Sequence, residues 1–240
     1  TRMAVGMSGV RDIGKLMERP ILFSAPMVRA LLDGRKTQTR RVVKLPHMNA
    51  LGQWEPTEVG GPDGGRTSSG ETVPLQGAIW HTRTGEVLCC PYGQPGDHLW
   101  VRETLACTHH HGAWYAADED GFNNRIKDER ADALAERYGH PYFDTEERRI
   151  PSIHMPRWAS RILLEIVSVR VERLQDISEE DARAEGATHY EPANHLSHGG
   201  WSHDEHYVHA TACASYEKLW NDINGAGNWD ANPWVWVIEF

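Results

Sequence analysis

The sequence predicts an α+β domain in which short strands form a barrel or a rolled sheet that carries loop insertions. Apolar residues fall in many short runs, a few helical segments are scattered among them, and strands and helices do not alternate in a βαβ rhythm. A chain of 240 residues is long enough to bury a sizeable core. We therefore expect one domain over residues 20–240, preceded by a poorly ordered lead-in at 1–19.

The first elements have clear local signals. Residues 20–23 predict a short strand, Ser24 and the proline that follows predict the start of a helix, and Gly34 predicts its end. Residues 35–44 are a basic turn that runs into a strand. The segment 52–77 holds seven glycines and predicts a loop.

In the middle of the chain, the sequence predicts a hairpin, a strand and an excursion, by which we mean a segment with a polar loop and one helix. In order these are a hairpin from strands 78–81 and 86–89, a turn at 94–97, a strand at 99–103, and an excursion at 108–150 with one alanine-rich helix near 128–138.

The last part of the chain predicts two further helices between two strands. The first elements are a long strand of alternating polarity at 161–174 and a short helix that is capped by Ser178 and ended by Gly186. A loop follows at 187–202. The last elements are a helix that starts at Ser202 and runs through Tyr216, Leu219 and Trp220, and a closing strand at 234–240.

Charge and composition narrow the classes of partner. The chain has 25 Lys and Arg against 34 Asp and Glu, a net charge of −9, whereas proteins that hold duplex nucleic acid by charge are usually basic. No run approaches the roughly 18 apolar residues of a membrane span, and no signal-peptide pattern is visible. The four cysteines do not form a disulfide framework. We expect a cytoplasmic protein, away from membranes, that binds a small ligand or a short nucleotide segment.

The candidate catalytic side chains are most concentrated in the basic segment, residues 35–44. Five cationic side chains fall between Arg35 and Lys44. One interpretation is a solvated basic patch. The other is that like-charge repulsion, with help from burial, lowers the pKa of Lys36 and leaves a neutral amine that acts as a base. Thr39 would share a face with Lys36 if the turn were helical, and a hydroxyl beside a neutral amine is a potential nucleophile.

Other residues give weaker evidence of a functional role. Glu185 is predicted at the C-terminal end of its helix, where the dipole disfavours a carboxylate, which is a mild sign of function. His203, His206 and His209 have a three-residue spacing, and three histidines follow Cys107, but neither HExxH nor paired CxxC elements are present, so we expect no catalytic metal. GxSxG, GxxxxGK[ST] and GxGxxG motifs are also absent from the sequence.

Several motifs in one order resemble the ASCH domain family of PUA-like β-barrel proteins, which includes many phage-encoded members. They are Gly34-Arg35-Lys36-Thr37-x-Thr39-x-Arg41 after a short helix, Gly96-Asp97-x-Leu99-x-Val101 entering a strand, the strand at 166–174, the acidic helix ending at Glu185, and the closing strand at 235–240. Segments 90–97 and 155–161 are similar to those of longer, phage-type members. The resemblance implies a PUA-like barrel with flanking short helices and loop-rich insertions at about 46–93 and 105–155.

The resemblance also implies an activity. A small bacterial member of this family is an amidohydrolase that removes the acetyl group of N4-acetylcytidine with a lysine, a threonine and a glutamate. By motif position these are Lys36 as proton acceptor, Thr39 as nucleophile and Glu185 as proton donor. The expected reaction is hydrolysis of the N4-acyl amide of acylated cytidine, and no cofactor is implied. A variant in which Lys36 and Glu185 activate water directly uses the same residues.

Further residues are expected to bind the substrate. Arg40 or Arg41 would stabilise the oxyanion. On the strand at 99–103, Trp100 would stack on the pyrimidine or pack in the core, with Arg102 and Glu103 beside it. The alternatives are a PUA-like RNA-binding module, against which the net charge counts, and a ribonuclease that uses the same basic cluster.

Overall fold

A computed structural model describes residues 16–46, 51–62, 72–109, 111–118, 120–121, 123–139, 147–191, 199–203 and 207–240. Those residues form four α-helices and fourteen strands, so the mixed α and β content agrees with the sequence prediction. The helices are α1 (Ala25–Leu32), α2 (Glu129–Tyr138), α3 (Glu179–Ala184) and α4 (Ala212–Asn224). The strands are β1 (Glu18–Leu22), β2 (Gln38–Val42), β3 (Trp54–Val59), β4 (Gln76–His81), β5 (Val87–Cys89), β6 (His98–Arg102), β7 (Leu105–Thr108), β8 (Gly112–Tyr115), β9 (Arg148–Ile150), β10 (Leu163–Glu165), β11 (Ser168–Arg173), β12 (Thr188–Tyr190), β13 (Gly200–Ser202) and β14 (Trp234–Glu239).

Two three-stranded sheets frame the centre of the molecule. In one, β6 lies between β1, which is parallel to it, and β10, which is antiparallel. In the other, β14 lies between β11 and β2, and both pairings are antiparallel. The predicted closing strand is therefore confirmed and forms the middle of its sheet.

The closing strand β14 separates two hydrophobic clusters. Trp236 and Ile238 pack with residues from β1, β6 and α1, whereas Val235 and Val237 pack with residues from α3 and α4. Successive side chains of a strand point to opposite faces, so a continuous apolar run serves two cores at once. This places α3 and α4 against one face of the sheet that carries β2.

The excursion predicted at 108–150 has a small core of its own. Strands β8, β7 and β9 form a sheet in that order, and α2 packs its alanines Ala131 and Ala135 against it. The helix predicted near 128–138 is confirmed, with Asp128 as its N-cap. The three strands were not predicted, because each has only three or four residues.

Two predictions about loops and strands are wrong in part. The loop predicted at 52–77 contains β3, an edge strand that pairs with β4 alone, a position where Pro56 is tolerated. The long strand predicted at 161–174 is two strands in different sheets, because the chain changes partners between β10 and β11. There Ile166 N donates to Asp97 O and Val167 N donates to Glu239 O.

The helix predicted to begin at Ser202 begins ten residues later. Ser202 belongs to β13, which pairs with β12 inside the predicted loop at 187–202. The N-cap of α4 is Thr211, whose hydroxyl accepts a hydrogen bond from Ala214 N. The lead-in predicted at 1–19 lies mostly outside the described residues, and β1 begins at Glu18, before the predicted start at residue 20.

The described strands form five separate sheets, and none of these sheets closes into a barrel within the described residues. The strand pairings thus show an α+β arrangement, and the predicted barrel is not observed in that part of the chain. Among the described helices, none is both long enough and apolar enough to cross a membrane.

Candidate functional site

The chain brings Lys36 and Glu185 together by backbone contacts between α1, α3 and the residues that follow them. After α1 ends, Gly34 has a φ of +70°, and Lys36 N turns back to donate to Ala30 O at 3.0 Å. Lys36 and Glu185 form an isolated antiparallel bridge, in which Thr37 N donates to Ala184 O at 2.9 Å. Two segments 149 residues apart in sequence therefore meet at one point.

The two side chains form a buried ion pair. Lys36 Nζ lies 2.7 Å from Glu185 Oε2 and also donates to the backbone carbonyl of Glu185 at 2.9 Å. The exposed fractions of the side chains are 0% for Lys36 and 2% for Glu185. Glu185 is the C-cap residue of α3, where the dipole disfavours a carboxylate, and the adjacent cations offset that effect.

Arg40 links Glu185 to two further carboxylates. Its Nη1 lies 3.2 Å from Glu185 Oε1, its Nη2 lies 2.5 Å from Glu172 Oε1 and 3.0 Å from Asp181 Oδ2, and its Nε lies 3.1 Å from Glu172 Oε1. Arg170 binds the same two outer acids, at 2.9 Å from Asp181 Oδ1 and 3.2 Å from Glu172 Oε2. All nitrogens of Arg40 are thus engaged by protein carboxylates.

Burial is the main reason why the pKa of Lys36 is lowered. Removal of the ammonium from water lowers this pKa most, Glu185 acts in the opposite direction, and repulsion from Arg41 and Arg40 lowers it further. The direction agrees with the sequence prediction, but repulsion is a smaller cause than burial. The alternative of a solvated basic patch is wrong for Lys36 and Arg40, because both are buried.

Thr39 approaches the site from a strand rather than from a helical turn. Residues 38–42 are extended as β2, so the prediction that Thr39 shares a helical face with Lys36 is wrong. Thr39 is buried, and it lines the same cavity as Glu185. Among the described residues, no hydrogen bond joins the Thr39 hydroxyl to Lys36 Nζ.

A cavity of about 60 Å³, with room for several water molecules, lies beside these groups. It is lined by Met27, Thr39, Arg40, Arg41, Val42, Glu185, Tyr216, Leu219, Trp220, Ile223 and Asn224. The structure therefore brings four of the predicted site residues to one cavity, whereas Lys36 does not line it and is bound to Glu185, which does.

Tyr216 is a site residue that the sequence prediction placed on a helix without giving it a functional role. Burial, together with the nearby Glu185 carboxylate, raises the pKa of its hydroxyl well above the ordinary value. The Arg40 guanidinium carbon lies 6.0 Å from the centre of its ring. The sequence has one signal for this role, since a tyrosine in an apolar helical stripe needs a polar partner for its hydroxyl.

Three predicted substrate-binding residues do not line this cavity. Trp100 and Arg102 lie on β6, where the Arg102 guanidinium carbon is 5.2 Å from the Trp100 ring centre and Arg102 donates to Ile153 O. Glu103 is buried in a bidentate ion pair with Arg161, at 2.9 Å and 3.0 Å. The ion pair gives Glu103 a structural partner, and the expectation that these three residues form part of one site with Lys36 is not supported.

The predicted histidine series is not on a helix. His203 is buried, with Nδ1 2.7 Å from Ser215 Oγ and Nε2 2.8 Å from Ala182 O, and His209 pairs with Trp201 in a bridge. His206 lies outside the described residues. Within the described ranges, no group of three or more His, Cys, Asp or Glu side chains is arranged to hold a metal ion.

Comparisons of the chain with protein-family models, with curated proteins and with solved structures find no match.

Proposed function

We propose that this protein is an amidohydrolase that cleaves the N4-acyl amide of acylated cytidine to give cytidine and a carboxylic acid. The proposal includes a PUA-like arrangement of the ASCH type for the core strands. The single observation that carries it is the buried contact of 2.7 Å between Lys36 Nζ and Glu185 Oε2, beside a cavity that Thr39 also lines. These are the three residues that the motif resemblance assigns to catalysis.

The contact between Lys36 and Glu185 supports a base and an acid that act together. When their shared proton is on Glu185, Lys36 is a free amine and Glu185 is a carboxylic acid. Burial lowers the pKa of Lys36 and so favours release of its proton, whereas the charge of Glu185 acts in the opposite direction. With the proton on Glu185, the general base and the general acid would both be in their working protonation states.

The reaction in its threonine form has two stages. In the first, Lys36 takes the Thr39 proton, Oγ1 forms a bond to the acyl carbon, the C–N bond breaks, and Glu185 gives its proton to the departing amine. In the second, water gives a proton to Glu185 and its oxygen bonds to the acyl carbon, the bond between that carbon and Thr39 Oγ1 breaks, and Oγ1 recovers a proton from Lys36. Lys36, Thr39 and Glu185 end in their starting states.

In the direct form of the reaction, water occupies the place of the Thr39 oxygen. Lys36 takes the proton of that water, and Thr39 only positions it. The lack of a described hydrogen bond between Thr39 and Lys36 fits this form, although hydrogen bonds of catalytic groups often tighten only when substrate binds. Thr39→Ala abolishes turnover in the threonine form and lowers it in the direct form.

Arg41 is better suited than Arg40 to stabilise the oxyanion. The nitrogens of Arg40 are all bound to carboxylates. Arg41 lines the cavity, its Nη2 donates to Leu22 O at 2.7 Å, and it has no carboxylate partner among the described residues. A guanidinium that no carboxylate neutralises is better suited to stabilise a negative charge that develops in the cavity.

The experiment follows the ultraviolet absorbance of N4-acetylcytidine during incubation with the wild type and with Lys36→Ala, Thr39→Ala and Glu185→Ala. Loss of a general base typically costs about 10²–10⁴ in rate, so Lys36→Ala is expected to be nearly inactive. Lys44→Ala is the matched control, because Lys44 belongs to the same basic segment but is exposed. Equal activity of Lys36→Ala and Lys44→Ala would contradict the proposal.

The RNA-directed alternatives receive less support from the structure. Lys36 and Arg40 are buried in ion pairs and are not available to phosphates, and the net charge is −9. Cleavage of RNA by a protein that leaves acylcytidine intact would favour the ribonuclease. The proposal also places the protein in the cytoplasm, since its four cysteines are all unpaired thiols.

A further inference from the structure

The cavity beside Glu185 has two chemically different halves. The polar half contains Thr39, Arg41 and Glu185, which are the groups of the proposed reaction. The other half is an apolar wall, and it consists of Met27, Val42, Leu219, Trp220 and Ile223. The proposed reaction uses none of the wall residues, so the wall is free to act in the choice of substrate.

One face of α4 supplies most of this wall. Residues 216, 219, 220, 223 and 224 line the cavity, and this spacing places them in one stripe along the helix. The stripe begins at the buried Tyr216 beside Glu185 and ends at Ile223, which is 54% exposed. The wall therefore leads from the reacting groups outward to solvent.

The wall offers a ligand apolar contacts rather than hydrogen bonds. Trp220 is only 5% exposed, and its Nε1 is buried and has no hydrogen-bond acceptor among the described residues, so this donor is not accessible to a ligand in the cavity. The wall thus fits the apolar part of a ligand, such as the aliphatic chain of an acyl group.

We infer, on the basis of the proposed function, that the α4 wall binds the acyl group of the substrate and selects acylcytidines whose acyl chain is apolar and longer than acetyl. The ribose and the base carry several polar atoms that need hydrogen-bond partners, and the apolar side chains of the wall offer them no accessible donor or acceptor. An aliphatic chain that starts at the scissile carbonyl finds apolar side chains as far as Ile223.

The test compares kcat/KM for N4-acetyl-, N4-butanoyl- and N4-hexanoylcytidine. Each methylene group that is transferred from water to the wall is expected to raise kcat/KM by up to about fourfold. The kcat/KM for N4-butanoylcytidine should therefore exceed that for N4-acetylcytidine by about tenfold. In Ile223→Asn, the ratio of hexanoyl to acetyl is expected to fall by at least about threefold. Ile153→Asn is the matched control, because Ile153 is 57% exposed and does not line the cavity, and it should keep the wild-type ratio.

The outcomes separate the inference from the proposed function. Hydrolysis of acetylcytidine with no gain for longer chains overturns the inference alone. The same holds if Ile223→Asn lowers kcat/KM for all three substrates by one common factor, or if Ile153→Asn changes the ratio as much as Ile223→Asn does. Failure to hydrolyse any of the three substrates overturns the proposed function, and the inference with it.

Discussion

Lys36→Met removes the cation of the central ion pair and keeps a side chain of similar length. Glu185, whose side chain is 2% exposed, then keeps Arg40 Nη1 at 3.2 Å as its one charged partner among the described residues. Breaking a buried ion pair from one side costs about 3–5 kcal/mol. Because Arg40 remains, we expect the free energy of unfolding to fall by about 3 kcal/mol, the lower end of that range.

The reciprocal change and the double variant complete the cycle. Glu185→Gln leaves the buried Lys36 ammonium with one backbone carbonyl as its described acceptor at 2.9 Å, so we expect a loss of about 3 kcal/mol here too. The double variant removes both charges, so neither Lys36 nor Glu185 remains buried as a charge without its partner. Its loss should be about 2 kcal/mol smaller than the sum of the two single losses, because contacting residues are coupled.

The assay is urea unfolding at pH 7, followed by tryptophan fluorescence and far-ultraviolet circular dichroism. Lys44→Met serves as the control, since a change at this exposed residue should alter the free energy of unfolding by less than about 0.5 kcal/mol. A loss below about 1 kcal/mol for Lys36→Met, or a double variant whose loss equals the sum, would refute the reasoning.

Two further predictions concern the surroundings of this pair. Gly186→Ala should lower the free energy of unfolding by on the order of 2 kcal/mol, because Gly186 has a φ of +107° and its Cβ would lie 2.9 Å from Ala30 Cβ. Gly34 has a φ of +70° and open space around it, so Gly34→Ala should lower the free energy of unfolding by about 1 kcal/mol in the same urea assay. Equal losses for Gly186→Ala and Gly34→Ala would contradict this prediction. Burial raises the pKa of Asp181, but neighbouring arginines outweigh it and hold that pKa below 3.8. Asp181→Asn should therefore destabilise the protein at pH 7. As the pH falls below 3.8 and through the lowered pKa, the urea midpoint of the wild type should approach that of the variant, because Asp181 becomes protonated. A difference between the two midpoints that stays constant down to pH 3 would exclude stabilisation by the charged Asp181.

Elements with local signals were predictable from sequence. The helix α1 lies between Ser24 and Gly34 as expected, although the Ser24 side chain makes no capping hydrogen bond. The hairpin of β4 and β5, the N-cap Ser178 of α3 and the strand β14 also agree with the prediction. Each of these signals lies within the element or next to it, so no knowledge of distant contacts is needed.

Elements defined by distant partners were not predictable in the same way. The alternation that suggested one strand at 161–174 continues through β10 and β11, and only the change of hydrogen-bond partner at Ile166 and Val167 separates them. Ser202 resembles a helix cap in sequence, but the pairing of Trp201 with His209 holds this segment in a strand. Tertiary pairing overrides local preference in both places.

The candidate site was predictable in its residue types but not in its contacts. The sequence marked Lys36, Thr39 and Glu185, whereas only the fold brings Arg40 of β2 to Glu172 of β11 and to the two carboxylates of the α3 segment. An apolar stripe on α4 is compatible with a core or with a cavity wall. For this reason Tyr216 and Ile223 were not recognised as residues that line the cavity.

The central claim is that this protein hydrolyses the N4-acyl amide of acylated cytidine. The most direct measurement incubates the wild type with N4-acetylcytidine and quantifies cytidine and acetate by chromatography over time. We expect both products to appear in equal amounts, at a rate proportional to the concentration of protein. Recovery of unchanged N4-acetylcytidine at every time point, from protein shown to be folded by circular dichroism, would contradict it.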